Sequence, residues 1–455
     1  MRRWFIRVGA LLLGVGLIVL VVMLVRAAPP RSVTLANGVL LDYRGATFGT
    51  NHVMPGVSRL ARLLPRPLRS WFGLDRPGQS FRSDSPLLAV WLDDDPVVAT
   101  NRVGRSGMVI LLADEHGVQA GEETWHSLWP AGQGGGGSFN LQFRVLPRRS
   151  RELALRFYDE GGGMARSFLG ELTFSNPAYT NAPIWDAEPL PVTRTNDALD
   201  CQLLALVSGV SHHTRLRSTD AGTVFENSAA EPGERPQAVG LFHFTEAGQP
   251  GTNWVVGSVL LADATGNSLS CGSSSYHCSG DRVAHRFGSI LWPDEVWDMT
   301  VWAKRTMTAA FSEEETILLP DIVVPALGET NRLERVFQSQ GIEVRVEQFV
   351  HNPSPSPGGY SMDDLTHLRV ELSELPEGMY FELAELRDDR GRRLLSSGWS
   401  RTHGKPTVTT FSVEKVPEGA KTVTARLVLQ KGRRYEFRVQ PERVGTNGFR
   451  MEVAE

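Results

Sequence analysis

Two patterns of apolar residues divide the chain. The first is unbroken: Val8 to Val25 carry no charge, with Arg2, Arg3 and Arg7 before them and Arg26 and Arg31 after. A helix crosses the hydrocarbon layer with roughly 17 to 25 apolar residues, so a transmembrane signal anchor is expected at 8–25. A cleaved signal peptide is the competing reading. Its apolar stretch usually spans about 7 to 15 residues, and Arg26 followed by Pro29-Pro30 makes a poor cleavage site. Basic residues on the short side stay cytoplasmic. Residues 1–7 then form a cytoplasmic tail too short to bury a core, and the protein is a single-pass membrane protein with the bulk of its chain extracytoplasmic.

Beyond residue 32 the pattern changes to short alternating runs punctuated by Gly, Pro, Asn and Asp, which predicts an all-β chain. Laid side by side, its thirds repeat one order of features. Each opens with a hairpin turning at Asn37-Gly38, Asn196-Asp197 or Gln340-Gly341, residues that tolerate positive φ. The second arms run on toward His52, His212 and His351. An alternating strand follows at Leu88–Leu92, Val239–His243 and Leu368–Leu372. A further strand then ends in an Asp-x-x-Gly turn: Asp114 to Gly117, Asp263 to Gly266, Asp388 to Gly391. Asp caps such a turn through its carboxylate, and Gly accepts the left-handed conformation. A tryptophan follows each turn at Trp129, Trp292 and Trp399. The expected architecture is three tandem β-sandwich units, immunoglobulin-like or similar, at 33–182, 188–326 and 330–455, behind one N-terminal transmembrane helix.

The net charge of −4 over 455 residues gives no reason to expect a nucleic-acid partner. Only five basic residues are lysine, the first being Lys304, so residues 1–303 hold no lysine base. In an oxidising exterior, Cys271 and Cys278 could close a small disulfide loop, with two unpaired thiols as the alternative. Cys201 reads as a buried small apolar residue.

The basic insertion at 54–80 interleaves Arg59, Arg62, Arg66 and Arg69 with Leu60, Leu63, Trp71 and Phe72. The favoured reading is a short helical flap over one edge of the first sandwich, with arginine stems on its rim; membrane-surface contact, which the mixture also suits, is the alternative. Around Trp297, alternation assigns Trp297, Met299 and Val301 to the core and leaves only Trp302 open to exposure; core packing is the favoured reading of these tryptophans, with a glycan-stacking surface as the alternative. The matched histidines read as turn residues rather than metal or acid–base sites, and Asp93-Asp94-Asp95 as a solvated tip rather than a calcium loop. Gly132 to Gly137 match G-x-G-x-x-G without the βαβ context that would give the match meaning. No hydrolase, zinc-protease or phosphate-loop motif is present, so neither catalytic, cofactor nor metal residues are assigned, and the reading leans away from an enzyme. The expected role is binding or scaffolding in the cell envelope. The expected partners are the bilayer through residues 8–25 and an envelope protein or glycan. An anchored hydrolase acting on glycan or peptide and a membrane-complex assembly factor are the alternatives.

Overall fold

The computed structural model describes residues 31–54, 80–94, 108–120, 123–127, 138–159, 166–219, 222–271, 273–279, 281–352, 366–402, 405–413, 416–444 and 449–452. They are all-β, with several sheets and one 3-10 turn at Glu313–Glu315. Among the described residues no helix is long and apolar enough to cross a membrane. The Val8 to Val25 run and residues 55–79 lie outside the described residues.

In chain order the first strands are β1 (Arg31–Thr34), β2 (Leu40–Val53), β3 (Ser80–Asp94), β4 (Met108–Asp114), β5 (Gln119–Ala120), β6 (Glu123–Ser127), β7 (Ser138–Phe143), β8 (Glu152–Asp159) and β9 (Phe168–Ser175). They form two sheets, β1-β2-β3-β7-β6 and β5-β4-β8-β9. One apolar cluster lies between them, with Leu88, Val90 and Leu141 from the first sheet and Leu112, Leu155 and Phe157 from the second.

Next come β10 (Val192–Asn196), β11 (Leu199–Thr219), β12 (Gly222–Ala229), β13 (Gln237–Glu246), β14 (Gln249–Pro250), β15 (Trp254–Asp263), β16 (Ser268–Cys271), β17 (Ser273–Ser279), β18 (Arg282–Phe287) and β19 (Trp297–Arg305). They are followed by β20 (Thr316–Val323), β21 (Glu329–Ser339), β22 (Ile342–His351), β23 (Thr366–Leu372), β24 (Met379–Asp388), β25 (Ser396–Thr402), β26 (Thr407–Val413) and β27 (Thr422–Lys431). The last are β28 (Arg433–Val439), β29 (Glu442–Arg443) and β30 (Phe449–Glu452).

A second sheet pair consists of β17-β18-β13-β11, extended by β10, β12 and β30, facing β16-β15-β19-β28. The third pairs β21-β22-β23-β26-β25 with β20-β27-β24. Each pair encloses its own cluster. In all three, the opening hairpin, the next strand and the Asp-ended strand occupy the same stations, and β4, β15 and β24 each lie beside β8, β19 or β27.

The sheets divide the chain differently from the sequence boundaries. β20 precedes residue 330 yet belongs to the third sheet pair, whereas β28, β29 and β30 join sheets of the second. In the first pair, β8 turns back into its own neighbour β9. In the second and third, the equivalent edge strands are exchanged: β19 leads into β20, and β27 leads into β28.

The result is a two-stranded ladder through both bodies. Trp297 pairs with Val439 and Ala303 with Arg433, then Thr316 pairs with Val428 and Val323 with Thr422. Between these stretches the Gln430 side-chain amide accepts from the Arg305 N–H at 3.0 Å and donates to the Arg305 carbonyl at 3.0 Å. It stands in for a backbone pair where the register breaks. Tyr380 packs into the notch left by Gly257 and Gly432, where a Cβ on Gly257 would lie 2.5 Å from the ring. Its hydroxyl shares a 2.7 Å hydrogen bond with Ser258, and burial pushes the phenol up to about 12.

The first and second pairs meet through matching loops. Trp292, between β18 and β19, donates its indole N–H to Asp114 at 3.1 Å. Leu146, between β7 and β8, exchanges both backbone groups with the Asn267 amide at 3.3 and 3.0 Å. Arg149 and Glu295, one from each of the two loops, pair at 2.6 Å. Each Asp-x-x-Gly turn therefore rests on the other body's loop, an arrangement with approximate twofold character.

Candidate functional site

The three Asp-x-x-Gly turns share one set of hydrogen bonds. Asp114 accepts from the N–H groups of His116 and Val118, Asp263 from Thr265 and Asn267, and Asp388 from Arg390 and Arg392, at 2.8 to 3.1 Å. Gly117, Gly266 and Gly391 take φ of 79°, 91° and 78°. Their chemistry is structural: the carboxylates are occupied by backbone donors. The Asp388 carboxyl is held below its usual range. Burial opposes this, but the bonds from Arg392 and Arg390 outweigh it.

The matched histidines do different things. His52 ends buried, its Nδ1 against the Thr47 hydroxyl at 3.0 Å and its ring stacked on Phe81 at 4.6 Å; burial lowers its pKa. His351 lies 2.9 Å from the Pro325 carbonyl. His212 sits 2.5 Å from Glu234, which also accepts from the Ser211 hydroxyl at 2.7 Å. Serine and histidine both address the carboxylate, an order unlike the serine-to-histidine-to-acid relay of a nucleophile. Burial pushes the Glu234 carboxyl up, yet its bonds from Ser211, Glu231 and His212 leave it below the ordinary value. Sequence reasoning missed Glu234 and the His243–Asp281 contact at 2.9 Å, because neither acid lies near its histidine along the chain.

Asp93 is a nearly buried partner of Arg44 at 2.6 Å rather than part of a solvated tip. Cys201 is fully buried, which pushes its thiol up. Cys271 is buried with its sulfur 3.3 Å from the Ser289 carbonyl. Ser273–Ser279 form a strand rather than the small loop expected there, and the Cys278 side chain lies outside the described residues. Arg59, Arg62, Arg66, Arg69, Trp71, Phe72, Trp129 and Gly132 to Gly137 also lie outside them. Among the described residues no group of three or more His, Cys, Asp or Glu is placed to hold a metal ion.

Among the described residues a cleft of about 950 Å³ lies between the second and third sheet pairs. Its base is the β15–β19 surface at Trp254, Leu260, Thr300 and Trp302. Trp297, Met299 and Val301 point into the core as alternation predicts. Trp302, expected to be exposed, is only 7% so, because Gly378 of the third pair covers its indole. Among the described residues Trp399 is an exposed tryptophan, 60% so, beneath the Arg401 guanidinium at 4.9 Å.

The cleft walls come from both bodies. Asn196 and Asp197 of one hairpin turn face Gln340 of the equivalent turn, with Ser312, Glu315, Glu377 and Lys431 to Arg434 completing the rim. Most of the charge is internally matched. Arg305 pairs with Glu315 under the Phe311 ring, Arg433 with Asp197, and Arg434 with Glu436 at 2.5 Å. Trp254 donates its indole N–H to Glu246 at 3.1 Å. Glu315 also accepts from Ser312 N–H and hydroxyl at 2.9 and 3.1 Å, which closes the 306–315 connection. The arrangement offers many donors and acceptors beside a comparable apolar share. It can hold a polar ligand by hydrogen bonds.

No protein-family model matches this chain, and no curated protein is significantly similar to it in sequence.

Proposed function

We propose that the protein is a membrane-anchored, extracytoplasmic binding or scaffolding component of the cell envelope, built from three copies of one β-sandwich. The cleft between the second and third copies is its binding site. The observation that carries the reading is this cleft, lined by equivalent hairpin turns from two bodies that the exchanged strands hold in fixed relation. Ligand sites form preferentially at such junctions, and walls that do not rearrange lower the ordering cost of binding. The shared hydrogen bonds of the Asp114, Asp263 and Asp388 turns support the repeat. The charge-free Val8 to Val25 run supports the anchor. The bulk of the chain then faces outward, with the Arg59 to Phe72 insertion in the copy nearest the bilayer.

The test uses the full-length chain in its membrane. A photoreactive residue at Gln340 is expected to crosslink an envelope component that the same probe at Glu418, away from the cleft, does not. Protease added from outside is expected to remove the sandwiches. Identical crosslinking at both positions would sink the binding reading, and full protection from external protease would sink the topology.

A further inference from the structure

We infer that the cleft takes a short, uncharged carbohydrate chain, an inference that rests on reading the cleft as the protein's binding site. At about 950 Å³ it is at the upper end of the range usual for small-ligand sites, roughly 300 to 1,000 Å³. Its chemistry then narrows the ligand by elimination and by fit.

A polyanion gains little there. The lining sets Arg305, Lys431, Arg433 and Arg434 against Asp197, Glu246, Glu315 and Glu377, so its formal charges cancel and a phosphate or sulfate meets carboxylates as well as cations. A polycation meets the same balance from the other side. A wholly apolar ligand would cover the rim's charged and amide groups without giving them partners, because the lining is polar and apolar in comparable shares.

What remains are amide, carboxylate and guanidinium groups beside a comparable share of apolar surface. Sugar hydroxyls are suited to that surface, each able to donate and accept at once. A sugar's C–H groups can lie against the apolar part of the lining while its hydroxyls replace water at the rim. Asp197 and Gln340 hold φ of 55° and 52° in turns that bracket the opening, and the two-stranded ladder forms its back.

The experiment titrates the full chain in detergent micelles with chitotriose, cellotriose and trialanine, read by calorimetry. The double variant Gln340→Ala with Glu377→Ala removes two exposed rim groups, and near-ultraviolet circular dichroism checks that its fold is unchanged. Saturable binding of at least one trisaccharide is expected, weakened at least tenfold in the double variant. Binding of trialanine without either sugar overturns the carbohydrate assignment and leaves the cleft as a binding site. Binding of none of the three overturns both. Sugar binding that the double variant leaves unchanged places the site elsewhere and overturns this inference.

Discussion

Asp263 accepts four hydrogen bonds, from the N–H and hydroxyl of Thr265 and from the backbone and side-chain amides of Asn267. Replacing it with alanine strands several buried donors, each worth on the order of 1 to 3 kcal/mol. Asp263→Ala is therefore expected to lower stability by about 2 to 4 kcal/mol, measured as a shift in the urea midpoint. A second residue sets an acid limit. Burial beside Phe242 and Phe287 pushes the His285 imidazole down to about 3, from 6.5. With the folded value below the unfolded one, the neutral ring's contribution is whole above about pH 6.5. It drains as the pH falls toward 3, at about 1.4 kcal/mol per unit. Urea midpoints should drop from pH 6.5 to 4, and His285→Phe should flatten that slope; parallel slopes would exclude His285 as the cause. At this scale the sequence was readable where cause and effect are local. An Asp and a Gly three residues apart specify their turn without help. The Trp292 indole that also reaches Asp114, and the Gly378 that hides Trp302, come from distant segments, and nothing in their neighbourhoods signals them.

Strands were legible for the same reason and their partners were not. Alternation marks Thr316–Val323 and Arg433–Val439 as strands, but period two is silent about which sheet receives them. The order along the chain favours neighbours, and here that prior fails at two places because β20 and β28 exchange bodies. The exchange depends on close packing at Tyr380. A methyl group on Gly257 would meet that ring at 2.5 Å, so Gly257→Ala should cost about 1 to 3 kcal/mol through overpacking. Tyr380→Ala should cost about 3 kcal/mol through the cavity it leaves. The double variant should lose less than the sum, since the added methyl has then nothing to strike. Strict additivity in thermal melts would show that the two residues do not share this contact.

Across the described residues, the second and third bodies share two exchanged strands, β20 and β28, whereas the first joins the second through loops. Calorimetry of the full chain should therefore resolve at most two transitions, with the second and third bodies melting together; three separable transitions would contradict the shared ladder. A chain ended after Lys431 lacks β28 and leaves β19 with an open edge beside Tyr435, Phe437 and Val439's vacated core positions. It should be aggregation-prone rather than merely shorter. A fragment cut at residue 330 likewise loses β20 and exposes β27. That ladder also has a consequence in time. Synthesis adds roughly 5 to 20 residues per second, and more than a hundred residues separate β19 from β28. The second body therefore waits on the order of ten seconds, after its own strands have emerged, for the piece that closes it. Throughout that interval it presents an unfinished sheet to whatever chaperones attend the nascent chain.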